Sequence, residues 1–104
     1  MNESALVQLA LAFPPSAERP LLALLFEIDP EMGGFSTVAA AGHGHGFEHA
    51  SVQELVRGHA DRRLLLAVMP RDAAMRIVAG LRERMSAAGI SWWLTPVLDF
   101  GRLA

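Results

Sequence analysis

A chain of 104 residues has room for one domain, and a net charge of −2 leaves no surplus of cations for a phosphate backbone, so nucleic acid is not an expected partner. The absence of cysteine removes disulfide scaffolds, cysteine-ligated zinc, iron–sulfur clusters and thiol chemistry. Only 19% of residues are charged while 52% are hydrophobic, and a domain this small buries roughly 65% of its unfolded surface. Apolar surface should therefore remain for another subunit.

The first four residues, MNES, lack a positively charged leader, and the apolar run from Ala5 to Phe13 is too short to span a bilayer. A cytoplasmic protein is expected. ALVQLALAF reads as a strand with Val7, Leu9, Leu11 and Phe13 on one face and Leu6, Gln8, Ala10 and Ala12 on the other. Pro14-Pro15 stops it, and Ser16 stands where it can cap the next element or just precede it. Leu21, Leu24, Leu25 and Ile28 then follow helical spacing, with Pro20 tolerated in the first turn and Asp29-Pro30 as the stop.

Gly33-Gly34 marks a loop, and Phe35 to Ala41 reads as a second strand. The polar segment GHGHGFEHASVQELVRGHAD, from Gly42 to Asp61, follows, with a helical turn expected at Ser51 to Val56 from the Ser51/Glu54 capping spacing. Arg62 to Met69 is a third strand that is apolar on both faces after its charged start. Between Arg71 and Ala87 the residues Ala74, Ile77, Val78, Leu81 and Met85 form one stripe of a second helix, with Asp72 in its first turn and Arg82 and Arg84 in its last. After Gly89, Ile90 to Leu98 makes a fourth strand, whose Pro96 places it at an edge, a bulge or a strand end.

The order βαββαβ predicts an α+β, ferredoxin-like domain with two helices on one face of a four-stranded antiparallel sheet. Trp92 and Trp93 point to opposite faces of the fourth strand. The face without helices carries Ala10, Ala12, part of Leu64 to Val68 and one tryptophan, a patch wide enough to imply a homo-oligomer, most simply a cyclic one.

The densest polar chemistry is GHGHGFEH. His43 and His45 fall on one side of an extended stretch, and Glu48 or His49 can complete a set of ligands for a divalent ion. The same residues also read as a solvated loop, and no zinc-finger or zincin spacing supports the metal. Gly42, Gly44 and Gly46 can instead present backbone N–H groups to an anion. Arg62-Arg63 reads as a solvated strand edge, with phosphate contact as the alternative. No serine has a nucleophile-elbow context and no carboxylate pair suggests acid and base, so no catalytic residue is assigned.

The three segments GHGHGFEH, ELVRG (Glu54 to Gly58) and WLTPVLDFGR (Trp93 to Arg102), in this order on a βαββαβ chain, resemble the PII signal-transduction superfamily, in particular small bacterial PII-like proteins of the DUF3240 type. The resemblance implies a homotrimer with its sheets packed inward and ligand clefts between adjacent subunits. It also implies a regulatory, non-enzymatic role in which an effector changes a loop and so a partner protein. Arg102 matches the C-terminal arginine that contacts phosphates in the family, and Gly42 and Gly44 match the loop base. Val56 stands in place of the tyrosine that PII proteins modify.

The glycine- and lysine-rich phosphate loop of PII is reduced to Ala87-Ala88-Gly89, so a triphosphate has few partners, and binding of an adenine nucleotide is disfavoured. PII-like proteins of this type are associated with heavy-metal efflux. That association gives His43, His45, Glu48 and His49 weight as ligands of zinc, copper or nickel, with a membrane transporter as partner. The alternative is a small acylphosphatase-like enzyme, against which stands the single asparagine, Asn2, at the terminus.

Overall fold

The computed structural model describes residues 5–43 and 59–103. Strand β1 (Leu6–Phe13) leads through a 3-10 turn at Pro15–Ala17 into helix α1 (Glu18–Ile28). Strand β2 (Ser36–Gly42), strand β3 (Ala60–Pro70), helix α2 (Arg71–Arg84) and strand β4 (Ser91–Pro96) follow. The sheet is antiparallel in the order β2-β3-β1-β4. The expected ferredoxin-like arrangement is present.

Register explains the core. Val7, Leu9, Leu11 and Phe13 of β1 stand opposite Met69, Ala67, Leu65 and Arg63 of β3, so two central strands offer one apolar face to the helices. Leu21, Leu24 and Leu25 of α1 and Ala74, Ile77, Val78 and Leu81 of α2 are buried against it. Arg63, on that same face, reaches Glu18 at 3.5 Å beside the core rim. The two helices pack together at Gly80, where an added Cβ would collide with Ile28 Cδ1.

Several boundaries differ from the sequence reading. α1 begins at Glu18 because the 3-10 turn feeds it directly; no side chain caps it, so Ser16 has no capping role. Asp29 leaves the helical region at φ −135° before Pro30, as expected. α2 ends at Arg84, three residues before Ala87, where Met85 adopts φ −137° while its N–H still reaches Leu81 O at 2.7 Å. Gly89, with φ 73°, then turns the chain into β4, a conformation that favours glycine. β4 stops at Pro96, which is both the last residue of the strand and on an edge. The Ser51 to Val56 turn lies outside the described residues.

The two helices cover only the middle of the sheet. β2 contributes no residue to the buried core, and its Val38 is exposed. On the face away from the helices, Ala10 is fully buried between Leu66 and Trp93 in register, while Leu64, Leu66 and Val68 are half-buried. Trp92 is opposite Leu11 on the helix side and Trp93 opposite Ala10 on the open side, so they do occupy opposite faces. Neither is a core residue, at 40% and 44% exposure.

Candidate functional site

Two clusters of binding chemistry lie at opposite ends of β2. At its start, the loop leaving α1 and the segment after β4 flank a cleft of about 640 Å³ on the open sheet face. Gln8, Ser36 and Leu66 form its floor, and Phe35, Phe100 and Arg102 line it as well. The segment reaches this position because Val97 N–H donates to Leu6 O at 3.1 Å, which carries the chain past the end of β1. Phe35 turns its ring to the other side, against Phe26 and the core, which leaves the Phe100 ring, a guanidinium and two polar side chains over an aliphatic floor, a set that suits a flat ring bearing an anionic group.

At the other end of β2, Gly42 pairs with Ala60. The Arg62 side chain lies across Gly42 so closely that a Cβ there would come within 2.9 Å of Arg62 Cγ. Arg62 Nη1 donates at 3.5 Å to Gly89 O, in the connection between α2 and β4. A half-buried guanidinium is thus held between two chain segments, one of which leads into residues 44–58. The sequence reading gave Arg62 chiefly the role of a solvated edge. The structure sets it at the neck of that segment instead.

His43 and His59 face each other across the same neck, ring centroids 5.8 Å apart, and His59 Nε2 lies 3.8 Å from Asp61 Oδ1. Of the proposed metal set only His43 is described. His45, Glu48 and His49 lie outside the described residues, as does Gly44. Among the described residues no group of three His, Cys, Asp or Glu side chains converges on a point that could hold a metal ion.

Gly42 and Arg102 are not brought together within one chain. Arg102 lines the cleft at Ser36, and six residues of extended strand separate Ser36 from Gly42, roughly 20 Å.

A four-stranded antiparallel sheet of this order is that of the ferredoxin-like fold, which solved structures of PII-like proteins share with this chain. A DUF3240 protein from Shewanella baltica OS155 superposes with a TM-score of 0.76 at 16% identity, covering 97% of this chain and 99% of that one. CPII of Thiomonas intermedia K12, a nitrogen regulatory PII-like protein bound to ADP, AMP and bicarbonate, gives 0.69 at 16% identity over 97% and 98%. PII of Arabidopsis thaliana bound to citrate gives 0.71 at 14% identity over 96% of this chain and 84% of that one. No curated protein sequence matches the chain.

The chain belongs to the DUF3240 family, proteins of unknown function, whose model matches residues 3–104. One expectation needs correction. The shortened Ala87-Ala88-Gly89 connection was read as disfavouring an adenine nucleotide, yet CPII, of the same fold, is bound to ADP and AMP. The charge argument applies to a triphosphate; a mono- or diphosphate presents less charge and needs fewer cations. The comparisons lend no support to the expected divalent metal, three of whose four proposed ligands lie outside the described residues.

Proposed function

We propose that this protein is a regulatory PII-like homotrimer that binds an adenine nucleotide in clefts between subunits. One copy contributes the cleft with Arg102 and Phe100; the neighbouring copy contributes the neck with Gly42 and Arg62. The observation that carries the reading is the separation of the two half-sites by roughly 20 Å along β2, with each of them incomplete. The apolar open face supplies the reason for copies to associate, and the adenine nucleotides of CPII supply the ligand class. Residues 44–58, leading from the neck, carry the response to a partner protein, and a membrane transporter is one such partner. The role is binding and signalling, with no catalysis.

Complementation tests the composite site. Arg62→Gln and Arg102→Gln chains should each bind AMP and ADP about tenfold more weakly by calorimetry, the effect of one charge-assisted contact. Co-expressed, the two variants should regain sites of wild-type affinity, because an intact neck from one chain then meets an intact Arg102 from the other. Failure of mixed oligomers to recover any tight site would refute the shared cleft. Absence of AMP and ADP binding by the wild-type protein would refute the ligand class.

A further inference from the structure

We propose a second small-molecule site, on the helix side of the sheet and independent of the nucleotide reading: a groove between α2 and β4 that takes a small carboxylic acid bearing one ring-sized apolar group. The groove measures about 190 Å³. Its base is Val78 and Leu81, both buried, with Met85 and Ile90 half-buried beside them and the indole of Trp92 as a wall. It exists because two helices cannot span four strands, so the outer flank of β4 is left uncovered where Trp92 stands. An apolar cavity of about 150 Å³ already holds a benzene ring. A thioether and an indole face add polarizable contacts that adapt to a ring.

The rim supplies the polar half of the ligand. Arg82 and Ser86 border the groove. Arg76 lies 3.7 Å from Asp72 and Arg84 3.0 Å from Glu27, whereas Arg82 has no ion-pair partner among the described residues. A single uncommitted guanidinium beside an otherwise apolar groove complements one negative charge, and its planar fork matches a carboxylate. The carbonyl end of α2 repels an anion placed over it, so the carboxylate sits outward, at the guanidinium, with the ring directed inward onto Trp92. Ser86 Oγ can donate the second hydrogen bond.

The test uses the full chain and 3-phenylpropionate as probe, followed by ¹H–¹⁵N spectra in which the two indole N–H signals are assigned with Trp92→Phe. The Trp92 signal should move and saturate at millimolar probe, while Trp93, on the opposite sheet face, stays in place. Arg82→Gln should weaken binding about tenfold with the Trp93 signal unchanged. Ethylbenzene, which lacks the carboxylate, should bind the wild-type protein no better than 3-phenylpropionate binds that variant. AMP should leave the Trp92 signal where it is, whether or not AMP binds elsewhere. A Trp92 signal that does not respond, equal movement of both indoles, or undiminished binding by Arg82→Gln would overturn the proposal. So would protection of Trp92 from a soluble paramagnetic quencher in the protein without probe, since a neighbouring copy would then fill the groove.

Discussion

Leu64 lies on the open face between Ala12 of β1 and Val38 of β2, away from both the helix-packed core and the Arg102 cleft. Replacing it by aspartate therefore separates association from folding. In an isolated protomer the new carboxylate would be solvated, two residues along the same face from Arg62, and folding should change by less than about 1 kcal/mol. In an oligomer closed over this face, each copy loses the burial of a leucine, about 2 kcal/mol, and must also desolvate a carboxylate at a cost of several more. The loss is then at least ~4 kcal/mol per copy, and it recurs in every subunit. Sedimentation at micromolar concentration should show a trimer for the wild-type chain and a protomer for Leu64→Asp, with far-UV circular dichroism unchanged. A wild-type protomer, or a Leu64→Asp chain that still assembles, would show that this face is not where copies meet.

Two further substitutions probe the core. Phe13 is fully buried at the end of β1, and Phe13→Ala should lower unfolding free energy by about 3–5 kcal/mol in denaturant titration; a loss below ~1 kcal/mol would mean that the end of the sheet is not packed as described. Gly80→Ala raises helix propensity by about 1 kcal/mol but drives a methyl group into Ile28, so its net effect should be destabilising by about 1 kcal/mol. Combined with Ile28→Val, which removes Cδ1, the same change should become neutral or stabilising, and additivity of the two would refute the contact.

The parts of the fold that could be read in the sequence are those carried by local periodicity. The alternation in LVQLALAF assigned the buried face of β1 before any partner was known, and the stripe Ala74, Ile77, Val78 and Leu81 identified the buried face of α2. Pro96 placed β4 at an edge or an end because it cannot donate to a ladder. The start of α1 was hidden, since nothing in Pro15-Ser16-Ala17 announces a 3-10 turn that continues into a helix. The end of α2 was hidden for a similar reason: Ser86-Ala87-Ala88 could prolong a helix, and only the tertiary route to Gly89 stops it.

The site was legible in pieces. Gly42 and Arg102 stand out through resemblance, but the position of Arg62 depends on Gly89, 27 residues away in sequence, and on the empty space over Gly42. No spacing rule registers such a contact. Charge at a strand start looks the same whether it faces water or braces a neck.

The uncovered β2 strand has a further consequence for the protein's handling in the cell. Its sequence, STVAAAG, places neither a charge nor a proline along a strand that is the outer one of the sheet among the described residues. An orphan subunit would thus be a template for runaway strand addition, and its safety lies in meeting its siblings quickly.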